Sequence, residues 1–399
     1  MSRVTVPNDC NNSLPKGPST CNIGILIAPT SSKIGQAINQ NLAISYQGRL
    51  PLMSHIAFSV GPQCIVTNYT INETPLPLFP SGSSLIPDQS YVIKDNVGYK
   101  FYYAGDDFAS INLATSPDGI NWTPYSGNPV LAGEPNQGEH ADVHYYSTGF
   151  PGANTGTDPS SITMHYRMWN QGYPFSISGW QYAESPDGIT WYNRILVTQF
   201  GTPVFSSATG ITYGIADAVY TPNASNTGTD WTFRIYANVQ WELGIYGGDE
   251  LVVMAFSPNG YEWTGYDPTG VGFATPIFAG SKIPGTFDEN HIGWFKVVKN
   301  SATDWQAFYN GGVTTTYQAF NGIGYATSSD GINWTRRQTL LTTNDPVPWR
   351  NQSTWMPSVV KTNSGYELYF IGSDNPMTDG SFIWWKLGRA VLTPSQCLS

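Results

Sequence analysis

Along most of the chain, short apolar runs alternate with polar residues, and no long stretch carries the three-to-four spacing of an amphipathic helix. One heptapeptide punctuates these runs. It reads Ser116-Pro117-Asp118-Gly119-Ile120-Asn121-Trp122, then Ser185-Pro186-Asp187-Gly188-Ile189-Thr190-Trp191, then Ser257-Pro258-Asn259-Gly260-Tyr261-Glu262-Trp263, and last Ser328-Ser329-Asp330-Gly331-Ile332-Asn333-Trp334. Asp-Gly or Asn-Gly between apolar runs predicts a hairpin, since both central residues of a type I′ turn need positive φ. The Trp that follows starts the returning strand and is expected to pack within the sheet. Trp122, Trp191, Trp263 and Trp334 stand 69, 72 and 71 residues apart, and so regular a period marks a repeat architecture.

Each period holds the same parts. An apolar strand comes first: Tyr91 to Lys94, Ala141 to Tyr145, Ala216 to Tyr220 and Ile292 to Val298. An aromatic strand follows: Tyr99 to Tyr103, Ile162 to Arg167, Phe233 to Tyr236 and Gln306 to Tyr309. A third strand runs into the Asp-Gly-Trp hairpin and a fourth leaves it. Four antiparallel strands in about 70 residues make one propeller blade. A fifth, truncated copy has strands at Met356 to Val360, Glu367 to Gly372 and Lys386 to Leu392, and it ends before a hairpin. The expected fold is therefore all-β, a five-bladed propeller of four-stranded antiparallel blades over residues 86–399 with an N-terminal extension. A strand from residues 20–60 is expected to complete the last blade, leaving few exposed sheet edges. Residues 1–85 fall outside the repeat and read as an arm packed on the propeller. Within it Gly24 to Ala28 and Leu42 to Tyr46 look like strands, and Thr74 to Pro80 like an extended linker.

Composition narrows the partners. Only 12% of the 399 residues are charged and 14% are aromatic, with 41 Gly and 29 Pro to serve many turns. A net charge of −10 disfavours nucleic acid and anionic membrane. No apolar run approaches the roughly 18 residues of a membrane span. Carbohydrate suits a surface rich in aromatics and poor in charge, although a β-rich core accounts for the same composition. Residues 1–20 are polar and show no signal-peptide pattern, so the export route is not visible, while an extracellular or cell- or virion-surface location is expected. Cys10, Cys21, Cys64 and Cys397 form no CxxC pair, which argues against zinc. Two disulfides, Cys10–Cys21 and Cys64–Cys397, are one of three connectivities, and free thiols stay open.

On the Asp-Gly-Trp hairpins and on second strands such as Tyr102-Tyr103-Ala104-Gly105, the chain resembles the five-bladed β-propeller glycoside hydrolases, the superfamily of arabinanases, β-xylosidases, levansucrases and invertases. The resemblance covers roughly residues 86–395 and bears more on fold than on activity. It implies that first strands line a central cavity, with their N-terminal ends carrying a base Asp in blade one, an orienting Asp in blade two and an acid Glu in blade three. These positions fall near Asp88, on Asp142 and on Asp217. The usual Asp-Pro is absent at Asp88, and Asp217 stands where the family has Glu. Glu139, Glu242 and Glu289 are the substitute acids. His140 and His291 lie beside the same strand starts, placed to bind sugar hydroxyls, and His291 alternatively to hold an axial cation as in some relatives. No cofactor or metal ligand set is otherwise implied. Arg167, Trp169, Trp241 and Trp355 are candidates for a sugar-stacking wall, with core packing the alternative for each.

Glycoside hydrolysis needs one protonated and one ionised carboxyl facing the scissile bond, about 6.5–9.5 Å apart in an inverting enzyme. Asp142 and Asp217 follow Ala at equivalent positions in adjacent blades and are expected to converge on the axis. The alternative for both is a carboxylate bonded to backbone amides at a blade start. Two functions stay open: hydrolysis of arabino-, xylo- or fructo-type glycans by paired axial carboxylates, and a non-catalytic glycan-binding or structural propeller of a surface, fibre or virion. The sequence leaves the oligomeric state open.

Overall fold

The computed structural model describes residues 37–44, 52–59, 69–76, 91–104, 110–132, 139–152, 162–171, 180–202, 204, 211–240, 250–313, 321–374 and 386–394. The chain divides into two compact units, one of Met1–Asn68 with Pro394–Ser399 and one of Tyr69–Thr393. In the first unit the described residues form one antiparallel hairpin, Ala37–Ile44 paired with Leu52–Ser59. The four cysteines and Asp88 lie outside the described residues.

The second unit is a five-bladed propeller. Blade one holds Tyr91–Lys94, Tyr99–Ala104, Ser110–Ser116 and Thr123–Pro124, with Leu131–Ala132 added to the third strand. Blade two holds Glu139–Pro151, Thr163–Gln171, Trp180–Ser185 and Tyr192–Leu196. Ile211–Tyr220, Phe233–Gln240, Glu250–Ser257 and Glu262–Gly265 make blade three. His291–Ser301, Asp304–Gly312, Gly322–Ser328 and Thr335–Thr342 make blade four. Blade five is Ser353–Thr362, Gly365–Ser373 and Lys386–Pro394, completed by Tyr69–Pro75 from the start of the chain. The closing strand thus comes from just after the 20–60 stretch expected to supply it, and includes Thr74 and Pro75, which the sequence places in an extended linker. Arg350, buried, holds it there with a two-pronged pair to Glu73 (Nε to Oε1 2.8 Å, Nη2 to Oε2 2.7 Å). The Tyr69 hydroxyl donates to Gln306 Oε1 in blade four at 2.6 Å, and its ring meets Tyr325 edge-on.

The core lies between blades rather than within one central layer. Each blade is covered on both faces, so second strands are buried almost throughout, polar residues such as Arg167 and Asn310 included; Phe101, Tyr102 and Tyr103 are all fully buried. The repeated heptapeptide explains how blades lock. In each copy the Ser hydroxyl accepts the Gly N–H, and the Asp or Asn side chain accepts the next two N–H groups. In blade one these are Ser116 with Gly119 at 2.9 Å, and Asp118 Oδ1 with Ile120 and Asn121 at 2.8 and 2.9 Å. Only the glycine of each hairpin has positive φ (72°, 75°, 95° and 73°), so the turn is a side-chain-closed loop and not the type I′ turn expected from Asp-Gly. That loop turns the Gly carbonyl toward the preceding blade. Gly119 accepts the Tyr369 hydroxyl (3.2 Å), Gly188 that of Tyr102 (2.8 Å), Gly260 the Trp169 Nε1–H (2.6 Å), and Gly331 the Tyr236 hydroxyl (2.8 Å). A Cβ on Gly188 would stand 2.6 Å from the Tyr102 oxygen, so glycine is required by approach as well as by φ. The hairpin Trp residues pack against these latches, Trp122 on Tyr369 and Trp334 on Tyr236, each at 6.1 Å between ring centroids. Between blades four and five the equivalent residue is Phe308, which has no donor, and blade five lacks the hairpin. There the closing strand supplies the contact through Tyr69, 6.3 Å from Phe308.

First strands carry a bulge just before the residue that reaches the axis. Register shifts fall between Ile215 and Asp217, Gly293 and Lys296, and Trp355 and Ser358. In blades four and five the bulge puts Trp294 (φ 39°) and Met356 (φ 52°) in the left-handed region, at a cost of order 1–3 kcal/mol each.

Candidate functional site at the propeller axis

The register of first against second strands gives five equivalent positions. Tyr91 faces Tyr102, Asp142 faces Trp169, Asp217 faces Tyr236, Lys296 faces Phe308 and Ser358 faces Tyr369. These five residues form an axial ring, and three of them tie one blade to the next. Asp142 Oδ2 accepts the Ala218 N–H (2.8 Å), Asp217 Oδ2 that of Val297 (2.6 Å) and Ser358 Oγ that of Val92 (2.8 Å). Lys296 has no acceptor to offer in that role, and the Tyr91 hydroxyl is directed to Asp217 instead. The backbone-bonded alternative for both aspartates is therefore present in the structure, together with their convergence.

The other carboxylate oxygens meet a histidine. His144 Nε2 lies 3.1 Å from Asp142 Oδ1 and 3.1 Å from Asp217 Oδ1, and the three residues' ligand atoms all fall within 4.8 Å of one another. Tyr91 donates its hydroxyl to Asp217 Oδ1 at 3.2 Å, and Lys296 Nζ stands 3.9 Å from Asp142 Oδ1. The aspartate side chains are 0% and 4% exposed, against 23% for His144, which is the member a ligand reaches first. Burial alone would raise Asp142, but the charges of His144 and Lys296 hold it below its ordinary value. Burial and the neighbouring charge of Asp142 push Asp217 up. Burial opposes charge on His144 too, yet the two carboxylates outweigh it and hold the imidazole well above its usual range. Lys296 is lowered by burial against the pull of both aspartates.

Two carboxylates and one imidazole are a set that can ligate a cation. Here the ligand atoms of all three converge, with Nε2 facing both carboxylates, and Lys296 adds a positive charge beside Asp142.

Above the ring lies a cavity of about 620 Å³. Its walls are residues from the axial position onward in blades one, three and four, such as Tyr91 to Lys94 and Lys296 to Lys299, and from the next residue, Val143 and Val359, in blades two and five. It therefore lies toward the C-terminal ends of these strands, whereas the sequence placed the site at their N-terminal ends. Arg167 is not on its wall. Its guanidinium lies 3.5 Å from the Phe150 ring centroid, and its Nε donates to Tyr182. Trp169 is fully buried in the seam between blades two and three, and Trp355 packs edge-on against Trp294. Glu289 accepts the Gly285 N–H away from the cavity lining. Trp241 and Glu242 lie outside the described residues, and the side chains of Glu139 and His140 are not described.

A second polar cluster occupies blades three and four on the far side of the bulges. His291, fully buried, has Nε2 3.9 Å from Glu250 Oε2, and Asn238 donates to Glu250 Oε1 at 3.2 Å. Burial, only partly offset by that amide, pushes Glu250 up to about 8. The sequence reading missed His144, Lys296 and Glu250. His144 follows Asp142 by two residues and so shares its strand face, a signal available in Asp142-Val143-His144. Lys296 interrupts an apolar strand. Glu250 opens a wholly buried strand and leaves no periodic mark.

No protein-family model and no curated protein matches the chain. Solved structures do. The α-L-arabinofuranosidase of Podospora anserina in complex with cellotriose aligns with a TM-score of 0.52 at 10% identity, over 82% of this chain and 98% of that one. The catalytic domain of the Coprinopsis cinerea family 62 α-L-arabinofuranosidase gives 0.51 at 10% identity, over 84% and 100%. A structure described as a glycoside hydrolase gives 0.50 at 12%, over 85% and 94%. The chain has the five-bladed propeller fold of these glycoside hydrolases.

Proposed function

We propose that the protein is a carbohydrate-active propeller that takes a saccharide in its axial cavity as a binding module, with the axial carboxylates serving to hold the blades. One observation carries the binding reading: each aspartate has one oxygen fixed on a backbone N–H of the next blade and the other on His144. Each carboxylate thus has both oxygens engaged by the protein itself, and Asp142 is not on the cavity wall. Tyr145 and Tyr220 on the cavity wall offer a ring and a hydroxyl to a sugar, with His165 stacked on the first and the Arg167 guanidinium over the second. Fold likeness to arabinofuranosidases supports carbohydrate as the ligand class.

Hydrolysis of arabino-, xylo- or fructo-type glycosides is the second reading, and the unequal proton affinities of Asp217 and Asp142 favour it. One carboxyl raised and one lowered is how an acid and a base are set apart. A panel of arabino-, xylo- and fructo-oligosaccharides separates the two. The binding reading expects saturable binding with no release of reducing sugar. Turnover that Asp142→Asn and Asp217→Asn both reduce by orders of magnitude, with melting little changed, establishes hydrolysis instead.

A further inference from the structure

The mouth of the cavity has its own chemistry. Three residues beyond each axial position stand Lys94, Tyr145, Tyr220, Lys299 and Lys361, one per blade, and all five line the cavity. The three ammonium groups rest on neutral partners: Lys94 on the Tyr99 hydroxyl (3.1 Å), Lys299 on Thr221 Oγ1 (2.7 Å) and Lys361 on Asn300 Oδ1 (2.5 Å). Among the described residues no ion pair involves any of them. The acids beneath are already matched, Asp95 by Lys100 and the axial pair by His144 and Lys296. A protein of net charge −10 thus keeps three lysines without a salt bridge around one opening, Glu367 and Asp230 being acids that act on Lys94 and Lys299 only at longer range. Lysine stems are long and flexible enough to leave a neutral partner for an anion.

We infer that this mouth selects an acidic saccharide, one whose carboxylate or sulfate groups meet the three lysines while its rings lie on Tyr145 and Tyr220. The inference rests on the carbohydrate reading and narrows it. Neutral oligosaccharides would use the tyrosines alone, and a simple anion would use the lysines alone.

Titration calorimetry on the intact protein tests it with a uronic-acid oligosaccharide, a sulfated oligosaccharide and a neutral xylo-oligosaccharide of equal length, at about 50 and 300 mM salt. The expected result is at least tenfold tighter binding of one or both acidic ligands, weakened severalfold by the added salt. The double variant Lys299→Gln/Lys361→Gln should lose about tenfold on the acidic ligand and leave neutral binding unchanged. The preferred acidic ligand names the acid group. Neutral ligand binding as tightly as acidic, or a double variant without effect, overturns the inference and leaves the carbohydrate reading standing. Full displacement of the acidic oligosaccharide by inorganic sulfate at equal concentration overturns it too, because charge alone would then be read. Absence of binding by all three saccharides removes both readings.

Discussion

Replacing His144 with Gln tests how the axial charges balance. Gln keeps an amide that can donate to a carboxylate but removes the positive charge between Asp142 and Asp217. Those carboxylates are 0% and 4% exposed, and Lys296, 3.9 Å from Asp142, is the charge that remains. Removing one partner of a buried ion set typically costs 3–5 kcal/mol. His144 is 23% exposed, so solvent screens part of the effect and the lower end, about 3 kcal/mol, is expected. For a unit spanning Tyr69–Thr393, with an unfolding entropy of about 0.7 kcal/mol/K, that lowers the melting temperature by about 4–5 °C. Adding Asp217→Asn removes one of the two repelling charges, so the double variant should recover part of the loss, with a coupling of about 1 kcal/mol or more. The pH dependence follows from the raised imidazole. Its contribution is complete below the unfolded value near 6.5 and is lost as pH rises through the higher folded value. Thermal melts of wild type, both singles and the double measure all of this. A fall of less than 2 °C for His144→Gln, or simple additivity in the double, refutes the charge balance.

Three further outcomes follow. Tyr102→Phe, which removes the latch on the Gly188 carbonyl, should cost about 1–2 kcal/mol in urea unfolding, whereas Phe308→Tyr, at the one seam without a hairpin, should give no matching gain. Arg350→Met leaves Glu73 unpaired and should cost about 3 kcal/mol or more; an unchanged melt would show that the closing strand is held by its ladder alone. Glu250, with its folded value raised to about 8, should make the protein lose stability as pH rises from about 4.5 to 8, on the order of 4 kcal/mol in all, and Glu250→Gln should flatten that part of the profile.

Much of the fold was legible because each blade repeats a local rule. Ser-x-Asp-Gly closes its own turn with side chains, so the heptapeptide marks hairpins whatever surrounds it. The aromatic second strands recur once per blade and were readable for the same reason. The closing strand was not, because Thr74-Pro75 resembles a linker and its pairing with Lys386–Pro394 spans almost the whole chain. At the axis, Asp142 and Asp217 stood out by their shared Ala-Asp context, yet the ring they belong to includes Tyr91, Lys296 and Ser358. Chemically unlike residues at one structural position leave no common motif, and only the register of first against second strands aligns them. Bulges before those positions shift the count by a residue, so the axial residue of each first strand could not be read from spacing.

The central claim is that a saccharide enters the axial cavity over His144, while the buried pair beneath it holds the blades. A crystal structure of the protein soaked with the tightest-binding oligosaccharide tests this directly. The account predicts sugar density between Tyr145 and Tyr220, with the Asp142 and Asp217 bonds to Ala218 and Val297 intact and the glycosidic bonds unbroken. Sugar bound instead beside Glu250 and His291, or a cleaved ligand with either aspartate turned toward it, would contradict it.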